Sequence, residues 1–88
     1  MLRVILSDRF RKKLRDFLKA HPELRAAIKE KLTILQENPR DPRLKTHKLT
    51  GKLKGFHAAS ITYEYRLVFY VEEDSIFLLA LGTHDEVY

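Results

Sequence analysis

Apolar positions along the chain change period, and the changes mark the elements. The opening LRVIL, Leu2 to Leu6, is short, apolar and β-branched, which predicts a strand. Ser7 then stands as an N-cap, and Phe10, Leu14, Phe17 and Leu18 fall at i, i+4, i+7 and i+8, the single stripe of an amphipathic helix. Its other face carries Arg9, Arg11, Lys12, Lys13, Arg15 and Lys19. His21-Pro22 interrupts that helix and opens another, since proline suits a first helical turn. Leu24, Ala27, Ile28, Leu32 and Leu35 form the second stripe, and Asn38-Pro39 ends it.

From Pro39 to Gly55 the periodicity disappears. Two prolines and two glycines forbid regular structure over much of this basic loop, while Leu44, Leu49 and Leu53 predict that it is pinned to the body. A loop of this length in a small domain is usually functional or disordered, and the leucines argue for order. Period-two patterning follows in Phe56 to Ile61, Tyr65 to Val71 and Ile76 to Leu81, separated by connections short enough for antiparallel hairpins. The expected fold is α+β: one domain over residues 1–88, in the order β-α-α-β-β-β. It has a small, mainly antiparallel four-stranded sheet with the two N-terminal helices packed on one face.

Composition narrows the class. There is no cysteine, which excludes a disulfide framework and thiolate metal sites and suits a reducing compartment. No apolar stretch approaches the roughly 20 residues of a membrane span. MLRVILSDRF is too short for a signal peptide and runs directly into a charged helix, so a cytoplasmic protein with no membrane association is expected. Charge is divided sharply. Residues 1–54 carry 16 of the 17 Lys and Arg against 6 acids, whereas residues 55–88 carry one Arg against 6 acids. The first part is suited to a polyanion or to an acidic amphipathic protein segment that folds on binding.

The single cation of the last third, Arg66, lies inside the apolar EYRLVFYV. Alternation puts Arg66, Val68 and Tyr70 on one face of their strand, and Tyr65, Leu67, Phe69 and Val71 on the face that suits the helices. A guanidinium there can hold a phosphate through two parallel hydrogen bonds, or pair structurally with Glu64, Glu72 or a tail acid. His21 reads as a helix boundary and His57 as a strand residue. His47, in the basic loop, and His84, at the exit of the last strand, are better placed to meet a ligand. Histidine spacing matches no metal motif, Asp85-Glu86 reads as a solvated turn, and no glycine-rich phosphate loop precedes a helix, so neither metal nor other cofactor is expected. The loop cations Arg40, Arg43, Lys45, Lys48, Lys52 and Lys54, with Tyr63, Tyr65 and Tyr88, suit single-stranded nucleic acid, where phosphates meet cations and bases stack on rings. The same tyrosines could instead be half-buried sheet residues with wet hydroxyls.

DPRLKTHKLTGKLKGF followed by ITYEYRLVFYVEEDSIFLLALGTH resembles the RelE/ParE superfamily of toxins from bacterial toxin–antitoxin pairs, most closely the YafQ-type branch and also YoeB. The resemblance extends over nearly the whole chain and is strongest from Asp41 to Tyr88. It implies a ribosome-dependent endoribonuclease that cuts mRNA in the ribosomal A site, held inactive by an acidic antitoxin and meeting operator DNA only through it. It places Arg66 at the phosphate, His84 and His47 as acid and base in an unassigned order, Glu64 as an alternative base, and Tyr88 as a terminal aromatic on the RNA. Lys45, Lys48, Lys52, Lys54 and Tyr65 complete the expected RNA contacts. Ser60 stands where such toxins carry a further histidine, and Glu64-Tyr65 where they carry Asp-Trp. That departure keeps two rivals open: a ParE-like gyrase poison, and a decayed toxin retained as a binding partner in repression.

Overall fold

The computed structural model describes residues 1–87. Strand β1 spans Arg3–Leu6. The Ser7 side-chain oxygen then accepts the Phe10 N–H at 3.0 Å, satisfying one of the orphan donors of helix α1, Asp8–Ala20. Pro22–Leu24 forms a single 3₁₀ turn that leads into α2, Arg25–Glu37, and Asn38 ends α2 in extended backbone just before Pro39. Both helices bury their stripes on the same side. Phe10, Ile28, Ile34 and Leu35 join Ala59, Ile61, Leu67, Phe69, Ile76 and Leu78 in one core. Each fully buried Leu, Ile or Phe there contributes about 1.5–3 kcal/mol.

The long loop is ordered. Leu44 is fully buried in the core, at the end of a 3₁₀ turn over Pro42–Leu44. Asp41 caps that turn, accepting the Arg43 backbone N–H at 2.9 Å and both Nε and Nη2 of the Arg43 guanidinium. These bonds hold the Asp41 carboxyl well below its ordinary value, at about 2. The Thr46 hydroxyl donates to the Pro39 carbonyl at 3.0 Å and closes the loop on itself.

Four strands complete the sheet: β2, His47–Lys48; β3, His57–Ser60; β4, Tyr65–Glu72; and β5, Ser75–Thr83. The sheet therefore has five strands, in the order β1-β5-β4-β3-β2, and not four. The extra strand is two residues long, too short to leave any alternation in the sequence. Neighbours are antiparallel except β1 and β5, which run parallel with Arg3 opposite Ser75 and Leu6 opposite Leu78. Between β4 and β5 the register shifts, with Val68 opposite Ala80 but Phe69 opposite Leu78. Leu79 is the extra residue of this bulge and is 45% exposed. The bulge resets the phase of β5, so Leu81, Leu78 and Ile76 all turn towards the helices.

Candidate functional site

Cross-strand register fixes which side chains share the face away from the helices. Ser60 of β3 is opposite Arg66 of β4, which is opposite Gly82 of β5. The next row is His47, Ala58, Val68 and Ala80. Beyond it come the rings of Phe56, Tyr70 and Phe77; Tyr70 stacks on Phe77 at 4.7 Å and meets Phe56 edge-on at 5.5 Å. Arg66 thus stands among small neighbours, Ser60 and Gly82, half-buried on the face away from the helices, where alternation puts it. Its Nη1 donates to the carbonyls of Thr62 at 2.9 Å and Tyr63 at 2.8 Å, with a longer contact to Tyr65. The guanidinium is thereby held towards the β3–β4 turn by one nitrogen. No carboxylate among the described residues pairs with it, and Nε and Nη2 remain available to an anion. Exposed Glu64 belongs to that same turn.

After β5 the chain closes into a one-turn helix, α3, His84–Val87. Thr83 and Glu86 form the reciprocal half of a capping box: the Thr83 N–H donates to Glu86 Oε1 at 2.9 Å. That bond, followed by one from the Thr83 hydroxyl, holds the Glu86 carboxyl below its ordinary value. A Cβ built on Gly82 would meet Glu86 Cβ at 3.1 Å and Val87 Cγ1 at 3.4 Å. Because Gly82 shares its row with Arg66, α3 folds across the Arg66 face. His84, at the first position of α3, is therefore delivered to the Arg66 end of the sheet. Its ring is exposed, and Nδ1 lies 3.5 Å from Asp85 Oδ1.

His47 occupies the same face from the opposite flank. It is one row up and two strands across from Arg66, about 12 Å between Cα atoms at ordinary strand spacing and rise. Its Nδ1 is 3.4 Å from the Lys45 carbonyl. Lys45 adopts the left-handed conformation, with φ 49°. Lys48 pairs with His57 and so faces the helix side of the edge. Lys52, in the Gly51–Leu53 turn, and Lys54 are exposed beyond it. A cavity of about 550 Å³ opens at this edge, lined in part by Arg40, His47, Lys48, His57, Phe69 and Val71. His57 stacks on Phe69 at 5.7 Å, and its Nδ1 is buried with no hydrogen-bond partner among the described residues. Burial, then the charges of Lys48 and Arg40, push its pKa down.

Tyr65 is not on the Arg66 face: its ring packs edge-on against Phe17 at 5.2 Å and beside His21 at 5.3 Å, because position 65 alternates with 66. Tyr63, by contrast, is 93% exposed in the turn that holds the guanidinium. Tyr88 lies outside the described residues. The reading of Asp85-Glu86 as a solvated turn missed the cap, although Thr-x-x-Glu was legible as its signature. Among the described residues no group of three or more His, Cys, Asp or Glu could hold a metal ion, and no helix is long and apolar enough to cross a membrane.

Comparison with known proteins adds an independent line. Residues 2–88 match the family model described as the bacterial toxin of type II toxin–antitoxin system, YafQ. A copper-bound mutant toxin from Helicobacter pylori is 32% identical, with both chains covered completely and a TM-score of 0.79. YafQ from E. coli superposes with a TM-score of 0.82 at 21% identity, over 100% of this chain and 99% of that one. YoeB in its complex with YefM from Staphylococcus aureus gives 0.72 at 24% identity, over 96% and 98%. E. coli YafQ is also known in complex with DinJ. No curated protein sequence matches this chain.

Proposed function

The chain belongs to the YafQ family of bacterial type II toxin–antitoxin toxins, and from that premise we propose that it is a ribosome-dependent endoribonuclease that cuts mRNA in the cytoplasm and so inhibits translation. The observation that carries the reading is Arg66: a half-buried guanidinium on the sheet face away from the helices, tied by one nitrogen to backbone carbonyls and by none to a described carboxylate. Cleavage of RNA without a metal needs three things. A base removes the 2′-hydroxyl proton as that oxygen attacks phosphorus, a cation stabilises the charge that develops on the phosphoryl oxygens, and an acid protonates the 5′-oxygen as its bond to phosphorus breaks. In-line displacement puts base and acid on opposite sides of the phosphate. His84 and His47 flank Arg66 on its two sides, and imidazole can serve either role near neutral pH. Glu64, in the adjoining turn, is the alternative base.

Lys45, Lys48, Lys52 and Lys54 rim the β2 edge and supply salt-dependent attraction to the message. We assign Tyr88 to the RNA as its terminal ring, and leave Tyr65 to the helix side. The cognate partner is an acidic antitoxin, in keeping with the DinJ and YefM complexes of the related toxins and with the positive first 54 residues. Contact with operator DNA then runs through the antitoxin.

Expression of the parent should arrest growth and create new internal mRNA ends, while Arg66→Ala and His84→Ala should each lose both effects. If both variants arrest growth like the parent, the mechanism is wrong. Ser60, directly opposite Arg66 and without an imidazole, favours the one rival worth carrying, a binding toxin that poisons gyrase. DNA damage with intact messages would establish that reading instead.

A further inference from the structure

The side chain that decides where His84 stands is not one expected to do chemistry. Four residues make one helical turn, and a turn that short is unstable alone because nucleation fixes several residues for one hydrogen bond. What keeps α3 closed must therefore come from outside the turn's own ladder. Among the described residues, contacts at Glu86 and at Gly82 contribute to it. Glu86 accepts the Thr83 N–H at 2.9 Å, bridging the last residue of β5 to the third of α3. Gly82, lacking a Cβ, lets the Glu86 and Val87 side chains settle onto the strand, where an added Cβ would come within 3.1 Å of Glu86 Cβ and 3.3 Å of its Oε1. Gly82 is buried beneath them although it ends a sheet face otherwise free of the helices.

We infer that Glu86 is a positioning residue: its carboxylate ties α3 down over Gly82 and thereby fixes His84 at the Arg66 end of the sheet. The group acts through His84 and touches no substrate. Its depressed pKa, caused first by the Thr83 backbone bond, agrees with a carboxylate that is a committed acceptor and not a base waiting for a proton. A base at position 86 would depend on its charge. A tether depends on an acceptor oxygen, which glutamine also has. The effect on cleavage rests on the ribonuclease reading; the effect on α3 does not.

The test uses the full-length protein and two readouts. Amide hydrogen exchange at Thr83, followed by NMR at neutral pH, should be slow in the parent and in Glu86→Gln. It should be about tenfold faster in Glu86→Ala and in Gly82→Ala. On ribosome-bound message, Glu86→Ala should lower the single-turnover cleavage rate about tenfold with little change in the RNA concentration needed for half-maximal rate. Glu86→Gln should restore the rate. Unchanged Thr83 exchange in Glu86→Ala overturns the tether. Normal cleavage by Glu86→Ala, beside inactive His84→Ala, overturns the positioning role and leaves the ribonuclease reading intact. Loss of cleavage that glutamine fails to rescue also overturns it, since the charge would then be the active feature. A parent that cuts no RNA sinks the ribonuclease reading alone, and the exchange data still decide the tether.

Discussion

The two faces of β4 are built to different rules. Towards the helices, Leu67 and Phe69 are 3% and 1% exposed and belong to one continuous core. Away from them, Arg66 stands between Ser60 and Gly82, and the ring cluster of Phe56, Tyr70 and Phe77 is confined to the other end. The first face spends its side chains on packing. The second sets small residues beside a cation: Ser60 stays half-buried, Gly82 is covered by α3, and Val68, one row on, is 1% exposed. Adjacent positions on one strand therefore carry unrelated constraints, and substitution of neighbours separates them.

The largest expected effect is on the packed face. Phe69→Ala removes a ring that is 1% exposed and should cost about 3–5 kcal/mol, read as a lower urea midpoint at unchanged slope. Its neighbour on the other face should reverse the pattern. Under the proposed ribonuclease activity, Arg66→Lys should leave the urea midpoint nearly where it was while cutting messenger cleavage on the order of 100-fold, because a point charge cannot reproduce the fork. Equal loss of stability in the two variants would erase the distinction between the faces. A smaller effect tests the edge of the packed face. The folded-state pKa of His57 is depressed, so between that value and the unfolded value near 6.5 the unfolded chain binds the extra proton, and stability falls as pH drops through this window. His57→Phe should flatten urea stability measured between pH 7 and pH 5. Smallest is Asp41→Asn, which weakens an exposed loop cap. The Asp41 contribution is present above its ordinary value and fades as pH falls through about 2, so the difference between parent and variant should shrink in acid and in high salt.

Much of this was legible in the pattern. Ser7, the two helical stripes and the placement of Arg66 and Leu67 on different faces all follow from local periodicity, because each is decided within one turn or one pleat. The features that escaped are those settled by pairing. Two residues at His47–Lys48 show no alternation, so β2 exists only because β3 offers it an edge. The bulge at Leu79 arises from the match of β5 to β4 and leaves the apolar run of β5 unbroken in the sequence. Tyr65 shows a different limit: alternation already assigned it to the helix side, and its ring type suggested RNA. Position outweighs ring type, as its packing on Phe17 shows.

The parallel seam between β1 and β5 joins Arg3 to Ser75, about seventy residues apart in sequence. Among the described residues β1 has no other neighbour in the sheet. Strand β1 therefore cannot gain its sheet partner until β5 has been made, and such distant closures are slow. Closure of the sheet is thus tied to the synthesis of β5 and not to that of the helices between.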